Sequence, residues 1–333
     1  VTFLRSASVL LPVPRAATAA EVAGAPQWLG VCEYPGHTPA EMAIDVGSAA
    51  LAAAHASPDQ VRWVVHAGAG VQGPLGWPLH RHIQHGIVGA NGNALELRQH
   101  CSGGLASWVV AGGLLTDDAG VVVCTGADNW SFGGRFVSSA STWGEPYSDV
   151  AHAEVLSSSE GFAMVLGTGT ACLPDRAEQW QLRENYWEHP TLADYANTYA
   201  RVCSESTLRS AGRTYRMVME AVESALADAD IDPADVTHFI PHPTETGQPY
   251  LQIARTMGLP WSDLLYRYHL AHGYLSVSAG TAALIRLAEL ELFEEGNIVL
   301  MAAAELQLSS TVVVLQIVRR PALVVHDLIT AVS

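Results

Sequence analysis

The sequence predicts an α/β protein built from two similar halves. Three observations carry that expectation. Valine-rich runs of strand length, at 61–67 and 120–126, alternate with alanine-rich or amphipathic segments at helical spacing, such as 40–54 and 207–229. A helix, a short Pro/Asp/Val turn and a strand occur twice, around Pro58-Asp59-Gln60-Val61 and around Pro233-Ala234-Asp235-Val236, as in a duplicated unit. Apolar residues make up 49% of the chain and charged residues 15%, a balance suited to extensive buried surface and not to disorder. At 333 residues the natural division is into two domains of ordinary size, with halves expected at 1–172 and 173–333.

In chain order, a strand is expected within 1–14, a helix at 40–54 and a strand at 61–67. The segment 70–85, with its glycines, prolines, Trp77 and His80, His82 and His85, reads as a surface loop. A short strand then leads to Cys101, and an apolar helix follows it. The run 120–126 is a buried strand. Residues 129–149 read as a Ser/Gly/aromatic loop, 161–166 as a strand and 167–175 as a pause. The aromatic, polar stretch 184–198 reads as an insertion over the site. An amphipathic helix at 207–229 carries Arg209, Arg213 and Arg216 on a solvated face. Then come a strand ending at His242, helices at 246–257 and 280–291, and closing strands at 298–303 and 311–318.

The net charge of −16 argues against nucleic acid and anionic membranes as partners. No stretch is long and apolar enough to span a bilayer, and Pro12, Pro14 and Arg15 interrupt the first apolar run. The five cysteines show neither a CxxC pair nor zinc spacing, which suits reduced thiols in the cytoplasm. His80, His82 and His85 have no carboxylate or cysteine beside them, so no metal site is expected.

Cys101 lies in Asn93-Ala-Leu-Glu-Leu-Arg-Gln-His-Cys101-Ser-Gly-Gly, at a strand-to-helix junction. A helix N-terminus favours thiolate over thiol, so this sulfur is expected to be an acyl-accepting nucleophile with a lowered pKa. His100 reads as structural, on the opposite face of the strand. His242, in Phe239-Ile-Pro-His242-Pro, stands where a strand ends, the edge at which α/β sheets place their sites. A third element, His272-Gly-Tyr274-Leu-Ser-Val-Ser-Ala-Gly, is a small-residue loop opening an apolar helix.

These three segments resemble the thiolase superfamily, and within it ketoacyl-acyl-carrier-protein synthase III and its acyltransferase relatives in natural-product pathways. The resemblance spans nearly the whole chain. It implies a five-layered α-β-α-β-α arrangement of duplicated βαβ halves, with Cys101 and His242 as catalytic residues. Glu160-Gly-Phe-Ala-Met-Val-Leu resembles the family's dimer-side strand, which implies a homodimer. Trp28 falls where a tryptophan packs on a donor's adenine.

The departures shape the expected function. Tyr274 stands where the family has a catalytic asparagine, and Glu305-Leu306-Gln307 replaces the glycine triad of the oxyanion hole. The arginine expected after Trp28 is absent. Glu245 replaces a pantetheine-binding asparagine, and Arg255 is the one basic residue on the helix that follows. Decarboxylative condensation needs the asparagine; acyl transfer needs only the nucleophile and a base. The expected function is therefore acyl transfer by a ping-pong route. An acyl carrier protein or coenzyme A thioester loads Cys101, and a small hydroxyl or amine acceptor attacks with His242 as base. No bound cofactor is required. The alternatives are a condensing ketosynthase using Tyr274, and a non-catalytic partner subunit of a synthase heterodimer. Trp77, Trp130, Trp143 and Trp187, in expected loops, would shape an aromatic or polyketide-like pocket.

Overall fold

The computed structural model describes residues 1–19, 21–22, 27–74, 76–115, 120–132, 145–180, 208–244, 247–305, 308–326 and 328–333. In chain order its strands are β1 (Thr2–Leu10), β2 (Arg15–Ala16), β3 (Gly30–Val31), β4 (Val61–Ala67), β5 (Asn93–Leu97), β6 (Val121–Asp128), β7 (Val150–Ser157), β8 (Ala163–Cys172), β9 (His238–Ile240), β10 (Ile298–Glu305), β11 (Ser309–Ile317), β12 (Leu323–His326) and β13 (Ile329–Val332). The described helices are α1 (Pro39–Ala53), α2 (Leu79–Val88), α3 (Gly103–Leu114), α4 (Leu208–Ala229), α5 (Tyr250–Met257), α6 (Asp263–His272) and α7 (Ala279–Glu289).

The duplication is written in the strand order, β5-β4-β6-β7-β1-β8-β11-β10-β9. In the first half β4 runs parallel to β6, β6 antiparallel to β7, and β7 antiparallel to β1. In the second, β9 runs parallel to β10, β10 antiparallel to β11, and β11 antiparallel to β8. The two sets meet through three residue pairs between Thr2–Leu4 and Ala163–Val165. β8, which opens the second set, lies before the 172/173 boundary expected from the sequence.

Five layers result. α1 and α2 cover the outer face of the first set, and α4 packs on β8 and β11 of the second. α3 and α7 lie between, each touching strands of both sets. Three apolar clusters fill the spaces. The central one joins Leu105, Trp108 and Ala111 of α3 to Leu284 and Ile285 of α7. The outer two sit under α1–α2 and under α4–α5. β6 is buried along its whole length, so its valine run is continuous and does not alternate.

Local chemistry starts the elements. α1 opens with a capping box, Thr38 and Glu41 each satisfying the other's backbone N–H, and has Pro39 in its first turn. The expected loop at 70–85 is corrected: α2 begins at Leu79, and Leu79, Ile83, Ile87 and Val88 bury one face while His82 and His85 stay exposed. The expected pause at 167–175 is also corrected, since β8 continues to Cys172. A Cβ on Gly169 would lie 2.1 Å from the Ala221 carbonyl oxygen, and one on Gly167 2.5 Å from the Ala229 nitrogen. These glycines let α4 lie flush on the strand; they do not break it. The insertion expected at 184–198, with Trp187, lies outside the described residues.

Candidate active site

Cys101 sits in a 3-10 turn, His100–Ser102, between β5 and α3. His100 is left-handed at φ 40°, which turns the chain sharply into the helix. A second turn of the same kind, Ser276–Ser278, leads into α7, and Ser276 is left-handed at φ 46°. The turns touch at the centre of the molecule. A Cβ on Gly104 would lie 2.3 Å from the Val277 carbonyl oxygen, so only glycine permits this approach.

Tyr274 is held from both sides by backbone. Its N–H donates to the Pro146 oxygen at 2.8 Å, and Ser148 N–H donates to the Tyr274 oxygen at 3.0 Å. Gly273 precedes it at φ 77°, where a Cβ would meet Ser148 Oγ at 2.6 Å. Ser148 also donates to the His272 oxygen at 2.5 Å. The loop before β7 thus fixes the ring that the 272–280 loop carries.

Three of the expected residues come together. Tyr274 Oη and His242 Nε2 are 2.7 Å apart, and Tyr274 shares one buried cluster with Cys101, where its hydroxyl favours the thiolate. Ser276 Oγ is 3.7 Å from Cys101 Sγ. Cys101, His242 and Tyr274 are 7, 8 and 5% exposed. Rings continue the site outward: Tyr274 meets Tyr147 edge-on at 5.1 Å, and Tyr147 meets Trp130 at 4.5 Å.

Burial dominates the electrostatics. The Cys101 thiol is pushed up to about 12 by desolvation, against the hydrogen bonds from Tyr274 and Ser276, which favour thiolate. The expected lowering by the helix end is therefore corrected: at this depth, loss of water outweighs the helix terminus. His242 is pushed down to about 4 by burial, so its imidazole is neutral and free to take a proton across the physiological range. The Tyr274 hydroxyl thus stands between the Cys101 cluster and His242 Nε2, to which it donates.

The other expected residues divide. Trp28 is not on an open groove: it is 2% exposed and clusters with Cys101, Leu270 and Tyr274. Arg255 is exposed on α5, whose buried face is Tyr250, Ile253 and Ala254. Glu245, Leu306 and Gln307 lie outside the described residues, as do Trp143 and Trp187; Glu305 ends β10. Trp77 packs near His82, away from the cluster. His272 Nδ1 donates to the Tyr268 oxygen at 2.7 Å. It lines a separate cavity of about 270 Å3 with Val9, Arg286 and Glu289. His100 is in the turn, not the strand, and burial lowers its pKa. Among the described residues no cluster of His, Cys, Asp and Glu is arranged to hold a metal.

Two site residues escape a reading of the sequence. Asp128, fully buried at the end of β6, accepts at Oδ1 from Ala69 N–H at 2.9 Å, Gly70 N–H at 2.7 Å and the Gln72 amide at 3.1 Å. Ser276 looks, in sequence, like one more small loop residue. An acid closing a run of valines is the available signal for Asp128.

No family model and no curated protein matches the chain. Solved structures do. A protein described as the acyltransferase ChlB3 superposes with a TM-score of 0.83 at 19% identity, over 96% of this chain and 98% of that one. The 3-oxoacyl-[acyl-carrier-protein] synthase III of Aquifex aeolicus VF5 gives 0.71 at 17% identity, over 95% and 100%. The priming β-ketosynthase of the R1128 polyketide pathway gives 0.72 at 18%, over 96% and 97%. The chain therefore has the ketoacyl synthase III-like thiolase fold expected from the sequence.

Proposed function

We propose that this protein is an acyltransferase of natural-product biosynthesis working through a Cys101 thioester. The observation that carries the reading is the position of the Tyr274 hydroxyl, in one buried cluster with Cys101 and 2.7 Å from His242 Nε2.

In the loading half, the thiol proton passes through Tyr274 to His242 as Sγ attacks the donor carbonyl carbon. The donor's carbon–sulfur bond breaks, and the proton returns along the same path to the departing thiol. In the transfer half, an acceptor hydroxyl or amine gives its proton to His242 as it attacks the acyl-cysteine, and Cys101 leaves and is reprotonated. Both steps need proton transfer, and the site supplies it. Decarboxylation of a malonyl group needs instead an open pair of donors around an enolate oxygen, and the bulk of Tyr274 stands in that space. The donor is an acyl carrier protein or coenzyme A thioester. Trp28, buried beside the nucleophile, is then a wall of the acyl pocket. A homodimer in the cytoplasm belongs to the same reading; no described helix is long and apolar enough to cross a membrane.

The test is intact-mass measurement after incubation with acyl thioesters. One acyl adduct on the parent chain and none on a folded Cys101→Ala variant is the expected result. An adduct on the variant places the nucleophile elsewhere, and no adduct on either favours the non-catalytic subunit.

A further inference from the structure

Two fully buried polar residues of β7, His152 and Glu154, take no part in the mechanism above. Alternate residues of a strand share a face, so both point the same way. Both reach the start of α7. His152 Nδ1 lies 2.8 Å from the hydroxyl oxygen of Ser278, the last residue of the second turn. Glu154 accepts from the Thr281 hydroxyl in the first turn of α7. The His152 ring also lies over the helix that follows Cys101. A Cβ on Gly104 of α3 would meet its Cε1 and Nε2 at 3.4 Å, and one on Gly126 of β6 would meet its Cε1 at 2.2 Å. The imidazole fills the space that these two glycines leave.

The remaining polar atoms of the pair, His152 Nε2 and Glu154 Oε2, are 3.9 Å apart, and neither has a hydrogen-bond partner among the described residues. Burial pushes His152 down to about 3 and Glu154 up to about 8, so at pH 7 two neutral groups meet there and not an ion pair. Such a pair gives a core little stability, because apolar residues of similar volume would pack without orphaned atoms. The turn beside it, however, has to be held. Ser276 is left-handed at φ 46° without being glycine, a conformation that persists only where the surroundings enforce it. Ser278 N–H closes the turn on the Leu275 oxygen at 2.9 Å, and the Ser278 side chain is anchored to His152. From this turn the Ser276 hydroxyl reaches Cys101 Sγ at 3.7 Å, and Tyr274 stands two residues before it.

We propose that His152 is a positioning residue: bonded to Ser278 and lying against Gly104, it sets the second active-site turn against the first. The role is indirect, since what it fixes is the placement of Ser276 and Tyr274 beside Cys101. The inference rests on the acyl-transfer reading for what the placement serves, and not for the placement itself.

The experiment compares the whole chain carrying His152→Leu, His152→Asn or Ser278→Ala with the parent at pH 7, with thermal melts alongside. Leucine is close to histidine in volume and makes no hydrogen bond. Asparagine puts an amide near the Nδ1 position and keeps the bond. Ser278→Ala removes only the hydroxyl. In single-turnover loading from an acyl thioester, His152→Leu and Ser278→Ala should lower the maximal rate by about 10–100-fold, the scale of a misplacement on the order of 1 Å, with the half-saturating donor concentration unchanged. His152→Asn should return most of the rate. The double variant His152→Leu/Ser278→Ala should be no slower than the slower single one, because both remove the same bond. A purely structural histidine would lower the melting temperature and leave the maximal rate of the folded variants unchanged, and that result overturns the proposal. So does a His152→Asn variant that loads as slowly as His152→Leu. Should the His152 variants not fold, Ser278→Ala decides alone. If the parent takes no acyl group from any thioester, the acyl-transfer reading fails and iodoacetamide labelling of Cys101 in the same variants decides the placement. The Ser276 hydroxyl favours the thiolate. Losing its alignment should slow labelling about 3–10-fold in His152→Leu and Ser278→Ala, the worth of one hydrogen bond, with recovery in His152→Asn. Equal labelling rates in all four chains overturn the proposal.

Discussion

The two turns at the centre of the molecule are built alike and used differently. In each, a non-glycine residue in the left-handed region opens a 3-10 turn that runs straight into an apolar helix: His100 before α3, Ser276 before α7. In the first, the next residue is Cys101, the nucleophile of the proposed reaction. In the second, the next residue is Val277, and the left-handed position itself places a hydroxyl, Ser276 Oγ, 3.7 Å from Cys101 Sγ. The second half also carries Tyr274 and His242. In the proposed reaction the attacking sulfur thus comes from one copy and most of the proton handling from the other.

That division can be broken from either side. Removing the sulfur should abolish acyl loading outright, because no other described thiol shares the site; Cys124, though free, is fully buried in β6. Removing the base should be partial. His242→Ala leaves a thiol still flanked by Tyr274 and Ser276, so single-turnover loading should slow. Transfer to the acceptor should fall further, by about 10²–10⁴-fold, the usual contribution of general base catalysis. Stopped-flow or quench measurement of the two half-reactions separates the effects. Transfer within about threefold of the parent, well short of that range, would make His242 structural.

The smallest expected effect tests the packing of the turns. Gly104 and Gly280 are the second residues of α3 and α7. A methyl on Gly104 meets the Val277 carbonyl oxygen, fixed backbone, at 2.3 Å; one on Gly280 meets the Met301 methyl, the flexible end of a side chain, at 3.1 Å. Gly104→Ala should therefore destabilise the fold by on the order of 1–3 kcal/mol. Gly280→Ala should lie between neutral and about 1 kcal/mol more stable, since alanine is the better helix residue. Denaturant midpoints for the two variants measure this. Equal costs would mean that the turns do not meet as tightly on the first side as described.

The same two turns show what a sequence can and cannot reveal. The alternation of strands and helices, the repeated Pro/Asp/Val turn and the junction at Cys101 are legible because each is local. β7 is not. His152 and Glu154 sit in a strand buried at every position, and they disguise it among polar residues. Their partners, Ser278 and Thr281, lie more than 120 residues away. α2 is hidden by its histidines, by Gly86 and by the glycines and prolines just before it, and Gly167 resembles a break because its purpose is to admit a helix. Among site residues, Cys101 and His242 are marked by their flanks. Ser276 and Asp128 stand near the site only through contacts between distant segments. The direction of the Cys101 shift is hidden for a related reason: a helix terminus is visible in sequence, but depth of burial is not.

The central claim is that the tyrosine in the second turn's loop suits the site to proton transfer and closes it to enolate stabilisation. The most direct measurement is release of labelled carbon dioxide from a malonyl-carrier protein, followed for the parent and Tyr274→Asn alongside loading with a simple acyl thioester. The account predicts efficient loading and negligible carbon dioxide release by the parent. It predicts a clear rise in release for the variant, where an amide can share the developing charge, and slower loading, since an amide does not carry the thiol proton to His242 as the phenol does. Rapid release by the parent, coupled to a new carbon–carbon bond, would contradict it and identify a condensing enzyme.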